Sequence, residues 1–143
     1  FPITRKAKLS RADVVAIDHY RGNGESLLVV DDVAAQREIA GLMLTKLGYH
    51  VATAESGAQA IAYLKDRPAD LVIIDMIMDP GIDGLETFKR IQHIHPHQKA
   101  IIVSGYSDSA KVKAAQKLGA GEYVKKPYVL EEIGMAVKSA LGG

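Results

Sequence analysis

Cysteine is absent from the 143 residues. That excludes disulfides and thiolate metal sites and fits a reducing compartment. Long apolar stretches are also missing. The longest runs, such as residues 71–74, are far too short to cross a bilayer as a helix. The expectation is a cytoplasmic domain without direct membrane contact, whether or not a parent protein is membrane-anchored. There is no excess of either charge: 18 Lys and Arg against 17 Asp and Glu leave a net +1. Bulk charge therefore gives no case for nucleic acid or a membrane surface as partner. Short-period repeats and low-complexity tracts are lacking too. What is present is a 48% hydrophobic fraction with 24% charged residues, enough for one domain with a real core. The chain opens on Phe1 rather than Met, which sets the expectation of a piece of a longer chain.

From Ser26 onward short apolar runs alternate with helical periods. Residues 27–30 predict a buried strand that ends in Asp31 and Asp32. Ile39, Leu42, Met43 and Leu47 recur at helical spacing, and Gly48 is a helix stop. Residues 49–53 predict a second strand. Ser56 and Gln59 form a capping box for a helix carrying Ala60, Ile61 and Leu64, which Pro68 ends. Residues 71–74 make a third strand, again ending on a carboxylate, Asp75. Asp79, Pro80 and Gly81 are loop chemistry, and Leu85, Phe88 and Ile91 mark the next helix. Residues 100–103 lead to Ser104 and Gly105, followed by a helix with Val112, Ala115 and Leu118 that stops at Gly119. Residues 122–124 are a short last strand, and Leu130, Ile133, Val137 and Leu141 pattern a final helix.

Five strand–helix units in strict alternation, with continuously apolar strands, imply a parallel sheet covered on both faces. The fold class predicted is α/β: a doubly wound, five-stranded, flavodoxin-like sheet of order 2-1-3-4-5 with helices on both faces. In such sheets function sits beyond the carboxyl ends of the strands. Residues 1–24 stand outside the scheme as a tail or linker, with Arg5, Lys6 and Lys8 near the start and a linker-like stretch from Arg21 to Gly24. Residues 25–143 form the predicted domain.

The polar residues fall at those strand ends. Asp31 and Asp32 end the first strand, Asp75 the third and Ser104 the fourth, and Lys126 follows the fifth. A parallel sheet gathers them along one edge. Three carboxylates at close range repel unless something positive joins them. A hard divalent cation suits them, and magnesium typically takes one or two carboxylates plus phosphate oxygens. Asp31 and Asp32 are then metal anchors. Asp75 gives one oxygen to the metal and uses the other as nucleophile, since carboxylates form covalent phosphoryl intermediates. Lys126 neutralises charge on the transferred group and Ser104 donates a hydrogen bond to it.

These residues resemble the receiver domain of two-component response regulators. The likeness covers about residues 25–141. It rests on Leu28-Val29-Val30-Asp31-Asp32, Leu71-Val72-Ile73-Ile74-Asp75, Asp83-Gly84, Ser104-Gly105 and Lys126-Pro127. The resemblance implies that Asp75 is phosphorylated from a phosphohistidine, with Mg2+ or Mn2+ as cofactor. The partner would be a histidine kinase or histidine phosphotransfer domain. It further implies that the Ile77 backbone carbonyl joins the metal ligands and that Ser104 and Tyr123 are the switch pair. Such a domain catalyses its own phosphorylation and dephosphorylation. A homodimer through the last helix–strand–helix face is left open. The family usually places Met-Pro directly after the nucleophile loop and then Asp-Gly; here Met78-Asp79-Pro80-Gly81-Ile82-Asp83-Gly84 carries one residue more. Phe1-Pro2-Ile3-Thr4-Arg5 is similar to the end of a histidine kinase ATP-binding domain, the layout of a hybrid sensor kinase; a basic tail is the plainer reading.

Other readings stay open on the residues alone: a stand-alone single-domain regulator, a pseudo-receiver that only binds partners, or a magnesium-dependent aspartyl-phosphate phosphohydrolase. The last lacks a general acid two residues past Asp75, where Ile77 stands. A flavin site is disfavoured because the first strand ends in two carboxylates instead of a Gly- or Ser-rich phosphate cradle. His93, His95 and His97 straddle Pro96 and read as an exposed loop rather than metal ligands. Lys111, Lys113 and Lys117 read as a solvated helix face or a partner surface, and Met76 and Met78 as loop packing.

Overall fold

The computed structural model describes residues 20–78, 81–105 and 109–142. The resemblance at Phe1 to Arg5 lies outside them, as do Asp79 and Pro80. The elements in chain order are β1 (Ser26–Val30), α1 (Ala34–Lys46), β2 (His50–Ala54), α2 (Gly57–Asp66), β3 (Leu71–Asp75), α3 (Gly84–Ile94), β4 (Ala100–Ser104), α4 (Ser109–Lys117), β5 (Tyr123–Lys125) and α5 (Leu130–Ala140). All pairings are parallel and the strand order is β2-β1-β3-β4-β5. The doubly wound sheet predicted from the alternation is therefore the observed fold.

Strand side chains alternate between two apolar layers, as a period of two requires. Leu28, Val30, Val72, Ile74 and Ile102 pack with Leu64, Phe88, Ile91 and Ala115 beneath α2, α3 and α4. Leu27, Val29, Ile73, Ile101 and Val103 pack with Leu44, Leu47, Ile133 and Val137 beneath α1 and α5. Both β3 and β4 are buried along their whole length, so their unbroken apolar runs reflect cover on both faces.

Helix boundaries follow local chemistry. Ser56 caps α2, its Oγ accepting from the Gln59 N–H at 3.1 Å. The Gln59 side chain completes a variant box by accepting from the Glu55 N–H rather than from that of Ser56. Asp83 caps α3 by accepting from the Glu86 N–H at 2.9 Å. Gly119 follows α4 with φ +114°, a left-handed stop that favours glycine.

Several expectations shift. The apolar period in α1 marks only part of its buried face: Met43 and Leu47 pack on the core as expected, Ala40 and Leu44 are buried too, and Ile39 and Leu42 are exposed. Leu118 is likewise exposed, at 40%. His93 lies within the last turn of α3 rather than in a loop, and the His95 ring Nε2 sits 2.7 Å from the Leu64 carbonyl. Met76 and Met78, in the loop after β3, pack into the core as expected of loop packing. Among the described residues no helix is long and apolar enough to cross a membrane.

Candidate functional site

Register places the acidic residues together. Val30 pairs with Ile74 across β1 and β3, so Asp31 and Asp75 extend from adjacent strand ends. Ser104 pairs with Lys125, which puts Lys126 one residue beyond the same edge. Asp31, Asp32 and Asp75 each offer a carboxylate oxygen, all within 4.8 Å of one another. Asp31 and Ser104 are almost wholly buried and Asp75 is 6% exposed. The cluster is thus a shallow acidic pit at the carboxyl edge of the sheet.

Lys126 is its cation. Nζ donates to Asp31 Oδ2 at 2.6 Å and to Asp75 Oδ2 at 3.3 Å. The other oxygens take backbone donors: Asp31 Oδ1 accepts from the Val33 N–H at 2.9 Å and Asp75 Oδ1 from the Ile77 N–H at 3.3 Å. Burial pushes the Asp75 carboxyl up to about 6. Lys126 pulls it down, Asp31 pushes it up further, and the Ile77 N–H lowers it. Burial, with the Asp31 and Asp75 charges, also raises the Tyr128 phenol above its ordinary range.

Two backbone bonds set the height of the loop after Asp75. The Met76 N–H donates to the Val103 carbonyl at 2.8 Å, and the Gly84 N–H to the Met76 carbonyl at 2.9 Å. A side chain at Gly84 would collide with the Asp75 carbonyl oxygen and come within 2.7 Å of Met76 Cα. Both ends of the loop are therefore pinned, and Met78 also lies in the core.

Beside the pit, the Ser104 carbonyl accepts from the Lys126 N–H at 2.9 Å and from the Tyr123 hydroxyl at 3.3 Å. All seven residues singled out from the sequence (Asp31, Asp32, Asp75, Ile77, Ser104, Tyr123 and Lys126) thus lie at or next to one edge. One neighbour went unnoticed in the sequence. Arg37 donates from Nη1 to the Asp31 carbonyl at 2.8 Å, fixing the turn that carries the acidic pair. Its spacing, five residues past Asp32 and in the first turns of α1, is the signal that could have found it. Lys111, expected on a solvated face, forms an ion pair with Asp83 at 3.0 Å and so links α4 to the cap of α3.

The donor set fits a hard divalent cation. It offers carboxylate oxygens only, converging within 4.8 Å, with one partial counter-charge from Lys126.

Comparison with known proteins follows the same lines. Residues 27–138 match the family description "Response regulator receiver domain". The sporulation initiation phosphotransferase F of Bacillus subtilis is 36% identical over 118 residues, covering 82% of this chain and 94% of that protein. The transcriptional regulatory protein GlrR of Escherichia coli is 36% identical over 115 residues, 80% of this chain. The chain spans about a quarter of that relative's length (26%). A solved receiver domain from Clostridium thermocellum superposes with a TM-score of 0.77 at 30% identity, over 82% of this chain and 94% of that one.

Proposed function

The chain belongs to the response regulator receiver domain family, the phosphoacceptor module of two-component signalling, and from that premise we propose that Asp75 is the residue that accepts the phosphoryl group. One observation carries the assignment: Asp75 is the strand-end carboxylate that shares a single lysine with a second, fully buried aspartate.

Asp75 attacks phosphorus through one carboxylate oxygen. A P–O bond forms, the P–N bond of a phosphohistidine breaks, and the bonding pair returns to the imidazole nitrogen. The donor is thus the phosphohistidine of a histidine kinase or histidine phosphotransfer domain. Lys126 follows the charge, leaving the Asp75 oxygen to meet the incoming phosphoryl oxygens. Ser104, at the neighbouring strand end, donates its hydroxyl to the same group, and Tyr123 reads that movement through the Ser104 carbonyl it already touches. Arg37 holds the Asp31 carbonyl still while this happens. Mg2+ or Mn2+ held by Asp31, Asp32, Asp75 and the Ile77 carbonyl would supply charge neutralisation and orientation of the phosphoryl oxygens.

Residues 25–143 are the unit that performs this, in the cytoplasm, within a longer signalling protein such as a hybrid sensor kinase. Intact mass after incubation with acetyl phosphate and magnesium tests the acceptor. One added phosphoryl group is expected on the wild type and none on Asp75→Ala. Equal labelling of both would overturn the assignment.

A further inference from the structure

The stretch from Arg21 to Gly24 has the composition of a free linker, yet it is bound. The Gly22 N–H donates to the Leu47 carbonyl at 2.7 Å and the Gly24 N–H to the Gly48 carbonyl at 2.9 Å. The His50 N–H returns a bond to the Glu25 carbonyl at 3.0 Å. These bonds continue the β1–β2 ladder backwards beyond Ser26, whose partner is His50. From the other side, Lys138 on α5 donates to the Arg21 carbonyl at 2.8 Å.

Glycines make the fit possible. A Cβ at Gly22 would overlap the Tyr49 ring. At Gly134 on α5 a Cβ would lie 2.9 Å from Tyr20 Cβ and 3.2 Å from Leu47 Cδ1. A Cβ at Gly48, whose φ is +94°, would lie 3.1 Å from the Gly22 carbonyl oxygen. Tyr20 joins the apolar layer of Leu44, Leu47, Tyr49, Ile133 and Val137. Three independent contacts therefore meet here: a ladder, a lysine–carbonyl bond and a glycine notch.

We infer that residues 20–24 form a docked strap, and that the face made by the α1–β2 turn and α5 is a seat whose hold on the strap is coupled to the phosphorylation site. The inference rests on Asp75 being the acceptor. Lys126, bonded to Asp75, lies two residues before Tyr128, which packs in the same apolar layer as Tyr20 and Ile133. When Lys126 leaves Asp31 for a phosphoryl oxygen, the start of α5 and the Gly134 notch shift with it. The strap then changes its hold.

Amide exchange read residue by residue tests this, with beryllofluoride and magnesium as phosphoryl mimic. In the free protein the Gly22 and Gly24 amides are protected, and Gly134→Val lowers that protection at least tenfold. Beryllofluoride changes it at least threefold in the wild type. By linkage, Tyr20→Ala, a milder change that keeps the fold, alters beryllofluoride affinity at least threefold as well. Exchange of both amides at unprotected rates overturns the strap. Beryllofluoride that binds, as read by shifts at Lys126 and Ser104, without altering the strap overturns the coupling and leaves the acceptor assignment standing. Failure of beryllofluoride to bind at all removes both.

Discussion

The Lys126 ammonium lies nearer to Asp31 than to Asp75, at 2.6 Å against 3.3 Å. The lysine is therefore held chiefly by the fully buried aspartate and lends its second contact to the acceptor. This divides its work: stability comes from the Asp31 contact, and charge control at Asp75 from the weaker one.

Replacing Lys126 tests that division. Lys126→Met leaves Asp31 buried without its cation, and removing one partner of a buried pair costs about 3 kcal/mol. Urea unfolding at pH 7 in chelator should show a loss of this order. Millimolar magnesium should restore part of it, because the cation takes over the counter-charge. Full stability of the variant in chelator would mean that the Asp31 contact is incidental.

Asp75 carries a pH signature. Its folded carboxyl sits at about 6, above the unfolded value of 3.8, so the folded state keeps the proton longer. The associated stability is fully present below the unfolded value and is lost as pH rises through 6. Asp75→Asn has no such loss. In chelator the variant should nearly match the wild type near pH 4 and exceed it at pH 7 by about 3 kcal/mol, roughly 8 °C in Tm. Magnesium should narrow the gap. A Tm difference independent of pH would show that burial does not strain the ionised carboxylate.

How much of this was legible in the sequence differs by element. The unbroken apolar runs of β3 and β4, each closed by a polar residue, gave both the sheet and the site, because burial on two faces leaves no room for alternation. The face of α1 was harder to read. Ile39 and Leu42 look like core residues, yet Ala40 and Leu44 face the sheet, since the run from Ile39 to Leu44 is apolar all round and periodicity alone does not pick its face. The strap was illegible for a related reason. Glycines that suggest freedom in a sequence can mark tight contact, and the partners Leu47, Tyr49 and Gly134 are distant in the chain. Arg37 was missed because its target is a backbone carbonyl, which has no signature in side-chain type.

If Asp75 is the acceptor, Ile77 should govern the lifetime of the phosphorylated form. It stands 43% exposed, two residues past the acceptor, with its N–H on Asp75. Apolar bulk there neither orients nor admits attacking water, so the phosphorylated protein should be long-lived. Ile77→Asn should hasten loss of the phosphoryl group about threefold or more, equivalent to roughly 0.6 kcal/mol in the barrier. Intact mass followed over time after removal of acetyl phosphate reads this directly. A wild-type half-life of seconds in magnesium would contradict it.

The last test concerns Gly84 and the longer loop. The family's spacing is lengthened by one residue between Met78 and Gly84, yet the Gly84 N–H still closes on Met76 and its Cα lies against the Asp75 carbonyl. If that closure is what holds the Asp75 strand end in place, a single methyl should disturb it. Gly84→Ala forces backbone against backbone, where no flexible side chain can yield. A stability loss of about 2 kcal/mol is expected from the overpacking. Labelling by acetyl phosphate should fall further than stability alone explains, because the acceptor strand end is displaced. Gly81→Ala, at φ +104° with open space around it, is the control. It strains the same loop without touching Asp75, so it should cost stability while labelling stays near the wild-type rate. Equal labelling defects in the two variants would mean that the loop as a whole, rather than its closure at Gly84, sets the position of the acceptor.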